Sequence, residues 1–153
     1  MKRKIKKNEI KGSLRLDNID SLFESLTGLK DLNLAIRIEY GFNTLLRERV
    51  ELIIDKLWRI VPQVNKMNPL AELTWVVNKM AKSYLPELIE KYLKLNTEGR
   101  EKAISETMSA LNALEREIDG VIELLESNDE IKFKTQASYL KDKFFQGKEL
   151  DLS

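Results

Sequence analysis

The stretch Ser83–Leu93, "SYLPELIEKYL", decides how this chain is read, because it has the spacing of an amphipathic helix with a proline inside it. A proline in a helix interior removes a backbone donor and presses on the preceding turn, at a cost of about 3 kcal/mol. Upstream, Leu70, Leu73, Val77, Met80 and Tyr84 form one apolar stripe, and Leu88, Tyr92 and Leu95 continue it past Pro86. A fresh helix with Pro86 at its first position would need Leu85 as its cap, and leucine has no side-chain acceptor. The spacing therefore predicts one helix kinked over Ser83–Pro86, with Tyr84, Leu85 and Pro86 as its structural residues and both halves burying a continuous face.

Working outward, Asn68 before Pro69 gives the start signal for that helix, a cap residue followed by proline at the first helical position. Before it, Leu46, Val50, Ile53, Leu57 and Ile60 recur at steps of four and three, and "VPQVNKMNP" closes the run. Arg47 with Glu51 and Asp55 with Arg59 stand four apart, a spacing that adds a few tenths of a kcal/mol, roughly, per ion pair. "NLAIRIEYG" alternates enough that residues 32–40 fit either helix or strand. "LDNIDSLFESLTG" predicts a short helix with Ile19, Leu22, Phe23 and Leu26 on one face, Asp17 or Asn18 as cap and Gly28 as stop. On the other side, Asn96 or Thr97 caps a long helix from about Glu98 to Glu126. Its seam is Ile104, Leu111, Ile118 and Leu125 at sevens, filled by Met108, Leu114 and Val121. "ESNDE" breaks that run, and Phe133, Ala137, Leu140 and Phe144 share a face on a last helix. The fold class that results is all-α: a helical bundle with one proline-kinked helix and a long C-terminal helical hairpin. Residues 1–13 read as a basic flexible tail, 14–146 as a single helical domain and 147–153 as a frayed end.

Composition narrows the chemistry. The chain has 153 residues, 42% of them apolar, which suits one domain with its own core. Its 26 basic and 25 acidic residues nearly cancel, so no strong global field gathers nucleic acid or anionic membrane. There is no cysteine and no histidine. That excludes disulfides, thiolate zinc sites, Cys or Ser–His nucleophiles and the usual general base near neutral pH. No apolar run approaches the ~20 residues of a membrane-spanning helix, and no signal-peptide segment follows the basic start. A soluble cytoplasmic protein is the expectation.

"SYLPELIEKYLKL", the long helix "ISETMSALNALEREIDGVIELLES" and the closing "ASYLKDKF" together resemble the 5-bromo-4-chloroindolyl phosphate hydrolysis protein family, also called XpaC. The resemblance covers roughly Met80 to Phe144, and its most specific piece is Tyr84-Leu85-Pro86 followed by Leu88 and Lys91-Tyr92. It implies a helical bundle of bacterial origin associated with toxic-anion resistance proteins. The family name records a phosphatase-like phenotype without an established catalytic mechanism. Two departures stand out: the apolar N-terminal sequence common in that family is lacking, and Gln136 stands where a glutamate is expected.

Phosphoryl transfer needs a nucleophile or activated water and cationic stabilisation, and no phosphate loop, paired-aspartate motif or histidine supplies them. The series Glu115, Asp119, Glu123 and Glu126 lies along one face of the long helix. It offers oxygen ligands to a hard cation, yet reads best as a solvated face opposite the seam. No metal and no cofactor is expected. Lys2, Arg3, Lys4, Lys6 and Lys7 could touch the phosphates of an anionic membrane surface, but the plainer reading is a solubilising tail. No aromatic residue is interleaved with them, which argues against nucleic acid. Trp58, Trp75, Tyr84 and Tyr92 fall on or beside apolar faces and read as core. By elimination and resemblance, the expectation is a non-catalytic module that binds a protein partner or a copy of itself. A phosphate-ester hydrolase and a peripheral membrane protein are the alternatives.

Overall fold

Asparagine and aspartate side chains set three of the helix starts. Asn43 Oδ1 accepts from the Leu46 N–H at 2.9 Å, Asn96 Oδ1 from the Gly99 N–H at 2.7 Å, and Asp129 Oδ1 from the Ile131 and Lys132 N–H groups at 3.1 Å. The computed structural model describes the backbone of residues 7–68 and 71–145, and the side chains of 21–68 and 71–145. Within it the chain forms α1 (Lys7–Ile38), α2 (Thr44–Met67), α3 (Glu72–Lys79), a π-helical turn (Met80–Tyr84), α4 (Leu85–Leu93), α5 (Thr97–Ser127) and α6 (Glu130–Phe144). The segments α3, π turn and α4 follow without a break, so five helices pack together into an all-α bundle.

The chain reverses direction at each connection. Arg37 on α1 meets Glu51 on α2 at 3.1 Å, and Ser25 meets Asn78 of α3, so α1 runs opposite to α2 and alongside α3. Glu39 meets Arg100 at one end of the bundle, while Val64 and Leu125 line a common cavity towards the other; α5 therefore runs beside α2 in the same direction. Helix α6 completes the C-terminal hairpin and seals against α3. Ser138 donates to Glu72, and the Trp75 and Tyr84 rings pack edge-on against Phe145 and Phe144.

Pro86 is accommodated by the π turn. The Leu85 N–H donates to the Met80 carbonyl, five residues back, which widens the helix just before the proline ring. This changes the phase of the helix. The buried positions are Leu73, Thr74, Val76, Val77, Asn78, Met80 and Ala81 and then Leu85, Ile89 and Tyr92, so beyond the turn the centre of the buried face moves from the line of Val77 and Met80 to the side of Thr74, Asn78 and Ala81. Tyr84 and Leu88 are only partly buried and Leu95 is exposed, so the stripe read from the sequence does not continue unshifted past Pro86. Leu70 lies outside the described residues.

Other expectations change with it. Gly28 does not stop a helix: α1 runs through it, and a Cβ built there would lie 3.6 Å from Lys82 Cα and 3.7 Å from the Ala81 carbonyl oxygen, so α1 lies against the π turn at this glycine. Residues 32–38 are helix, and the chain turns only at Tyr40 and Gly41, where Gly41 adopts φ +79°. Helix α1 begins at Lys7, inside the span read as a tail, while residues 1–6 lie outside the described residues. Pro62 sits within α2 on its solvent side, where the Trp58 carbonyl loses its helical donor but stays near water. Asn68 caps the end of α2, its N–H donating to the Val64 carbonyl at 3.1 Å, instead of starting the next helix. Glu51 pairs with Arg37 of α1 and not with Arg47, whose Nε is buried without a hydrogen bond.

The apolar core crosses every helix, from Leu29 and Ile36 through Ile53 and Leu57 to Leu114, Ile118 and Leu140. Within it sits a small polar cluster. Ser25 Oγ donates to Asn78 Oδ1 at 2.8 Å, Asn65 Nδ2 donates to the same oxygen at 3.1 Å, and Asn78 Nδ2 donates to Asn65 Oδ1 at 3.2 Å. Three helices are thereby fixed at one level, since a slip of any of them would leave buried polar groups unpaired.

Candidate functional site

The acidic series on α5 separates into two pairs. Glu115 accepts from Lys56 at 2.7 Å and from Arg49, and Asp119 accepts from Lys56 at 2.6 Å; both bases belong to α2. Glu123 and Glu126 point to solvent. The solvated-face reading therefore holds for Glu123 and Glu126 and fails for Glu115, whose side chain is only 12% exposed and clamps α5 to α2. Among the described residues no group of acidic side chains is placed to hold a metal ion.

Partial burial pushes the Glu115 carboxyl up, but hydrogen bonds and charge from Lys56 and Arg49 outweigh it and hold the group below its ordinary value. Lys56 is raised: burial lowers it, and hydrogen bonds to Asp119 and Glu115 more than offset that. A lowered acid contributes stability above its unfolded pKa and loses it as pH falls through its folded one. A raised base contributes below its unfolded pKa and loses it as pH rises through its folded one. The clamp is therefore intact near neutral pH, weakens below about pH 4 and weakens again above about pH 10.5. Glu115→Gln is expected to cost about 2 kcal/mol at pH 7 and far less at pH 3, read from urea midpoints at the two pH values. Equal losses at both would remove the ion pairs from the account.

The remaining sequence candidates are structural or undescribed. Lys2, Arg3, Lys4 and Lys6 lie outside the described residues, and Lys7 opens α1. Tyr84 is half-buried and packs edge-on against Phe144 at 4.9 Å, while Leu85 is fully buried. Tyr92 is buried against Phe42, with ring centroids 5.4 Å apart. Trp75 is partly buried between the ammonium groups of Lys79 and Lys141, at 5.6 and 5.3 Å from its ring. Trp58 departs from its core reading, being 46% exposed.

The surface that stands out is the outer side of α1. Phe23 is 62% exposed, Leu34 53% and Ile38 80%; with Thr27 they fall at steps of four, seven and four, one line along a helix. The opposite side of α1 carries Ser25, Leu29, Leu32 and Ile36 into the core, so the bundle covers that side and leaves Phe23, Leu34 and Ile38 uncovered among the polar residues of the other. Phe23, read from the sequence as a core residue beside Leu22 and Leu26, belongs to the uncovered side. Its spacing to Leu34 and Ile38 was the available signal.

The stripe ends at a firmly held turn. Tyr40 is 98% exposed, between a Glu39 bonded to Arg100 at 2.9 Å and a Phe42 buried against Tyr92, and Leu45 beyond it is also exposed. The apolar side chains of the turn are thus presented outward by a backbone anchored on both sides. Exposed apolar positions gathered along one helix and its turn mark an interaction surface more often than scattered ones do.

No protein-family model, no curated protein and no solved structure matches this chain. Among the described residues no helix is long and apolar enough to cross a membrane.

Proposed function

We propose that the chain is a non-catalytic helical interaction module whose working surface is the outer side of α1 and the turn that follows it. The observation that supports this reading is the line Phe23, Leu34 and Ile38, exposed on a helix whose other side is already packed. The acids best placed for chemistry, Glu115 and Asp119, are occupied by Arg49 and Lys56 in holding two helices together. Hydrolysis of a phosphate ester would need a free set of such groups around a cation. A partner here is a protein with a complementary apolar helix or groove.

Lysine-directed cross-linking in living cells tests it. Lys30 lies on α1 between Phe23 and Leu34 and is exposed, as are Lys66, Lys94, Lys102 and Lys132 elsewhere on the surface. Intermolecular cross-links are expected to concentrate at Lys30 and to disappear in a Phe23→Asp, Leu34→Asp double variant that keeps its helix content. Cross-links spread evenly over all five lysines would contradict the proposal, as would metal-dependent turnover of a chromogenic phosphate ester by the purified chain.

A further inference from the structure

We infer that Tyr40 is the anchor of the interface and enters an uncharged apolar pocket on a partner protein, with Arg100 as the residue that positions it. The inference rests on the interaction reading above and names the kind of partner.

Residues 39–42 form a tight turn between α1 and α2. The Phe42 N–H donates to the Glu39 carbonyl, and Gly41 takes φ +79° while Tyr40 keeps a negative φ, the pattern of a type II turn. Such a turn asks for glycine at its third position, which is present, and favours proline at its second. Nothing in it calls for an aromatic ring. Nor does the core use the ring: Tyr40 is almost wholly exposed, and among the described residues its side chain has no hydrogen bond or ring contact.

The backbone on both sides of Tyr40 is nevertheless fixed, and the fixing runs through Arg100. This residue lies near the start of α5, and its side chain reaches back past the beginning of its own helix. Nη2 donates to the Leu93 carbonyl at 2.8 Å and Nε to the Leu95 carbonyl at 3.1 Å, so the guanidinium caps the end of α4. Nη2 also donates to Glu39 Oε2 at 2.9 Å. The guanidinium stands 5.6 Å from the centre of the Tyr92 ring, which packs against Phe42. Glu39 and Phe42 flank Tyr40 and Gly41, so one residue ties down both ends of the turn. Ordering the turn in the free chain removes that entropy cost from binding.

The surroundings say what the ring meets. Ile38 before it and Leu45 beyond it are exposed as well. The charges that adjoin it are spent inside the chain, Glu39 on Arg100 and Arg37 on Glu51. The projection is convex and apolar, and its complement is concave, apolar and uncharged, as a pocket on a protein is. An anionic lipid surface would draw on free bases beside the ring, and Arg37 and Arg100 are both tied to acids.

Lysine-directed cross-linking in living cells, read at Lys30, tests the anchor by substitution. Tyr40→Ala is expected to lower the yield at least about tenfold, the scale of a hot-spot residue, with helix content and urea midpoint unchanged. Glu39→Leu keeps both bonds from Arg100 to the α4 carbonyls but loosens the turn, and is expected to lower the yield about threefold. Glu39→Gln, whose amide oxygen still accepts from Arg100, is expected to keep most of it. In a Tyr40→Ala background Glu39→Leu is expected to have no further effect, because it acts through the ring alone. Cross-linking that survives Tyr40→Ala would overturn the inference and leave the module standing, whereas a wild type without Lys30 cross-links would remove both. An equal loss from Glu39→Leu with and without Tyr40 would overturn the positioning role. Binding of the purified wild type to phosphatidylcholine or phosphatidylserine vesicles, abolished by Tyr40→Ala, would give the anchor to lipid and overturn the protein pocket.

Discussion

Replacing Asn78 by leucine is expected to destabilise the fold by about 3 kcal/mol, although leucine is close in size and the site is almost fully buried. The loss comes from what stays behind. Ser25 Oγ and one proton of the Asn65 amide donate to Asn78 Oδ1, and Asn65 Oδ1 accepts from Asn78, so leucine leaves the Asn65 oxygen and one Asn65 proton unpaired and Ser25 with only the Asn78 main-chain carbonyl at 3.4 Å. Replacing the whole cluster, as Ser25→Ala, Asn65→Leu and Asn78→Leu together, is expected to recover most of the loss, because no orphaned group remains. Urea midpoints of the single and triple variants check this. If the single substitution costs no more than the triple, the cluster is not holding α1, α2 and α3 at one level.

The second large effect concerns the proline-bearing helix. Leu85→Ala is expected to cost about 3 kcal/mol and Leu88→Ala about 1 kcal/mol. Leu85 is fully buried beyond the π turn, whereas Leu88 packs only at the edge of the core. An unbroken α-helix through Pro86 would centre Tyr84 and Leu88 on the buried face and leave Leu85 at its edge beside Asn78, reversing the order. Thermal or urea unfolding of the two variants therefore reads the helix phase directly. The reversed order would remove the π turn from the account.

These two cases mark where sequence and structure part. Periodicity found α2, the α5 seam and the α6 face because each helix keeps one apolar side in one phase. Leu46 to Ile60 and Leu111 to Leu125 are buried as their spacing required. It failed on α1, whose apolar residues lie on two opposite sides. Leu34, Ile36 and Ile38 then mimic the alternation of a strand, and Gly28, in truth a point of close approach to the π turn, mimics a stop. It also failed at Met80–Tyr84, since an extra residue per turn shows only in the hydrogen bond from Leu85 to Met80. The candidate surface was half legible. The composition removed most chemistry, but which acids are spent on ion pairs depends on which helices become neighbours, and Glu115 meets Arg49 and Lys56 only through the packing of α5 on α2.

The outer side of α1 carries the functional account, and hydroxyl-radical footprinting of the chain in living cells and after purification tests it most directly. Phe23 and Tyr40 are predicted to be protected in cells, where the partner is present, and reactive in the dilute purified chain. Trp58, exposed on α2, should react equally in every sample. Phe23 reacting at one constant rate in all of them would contradict the account.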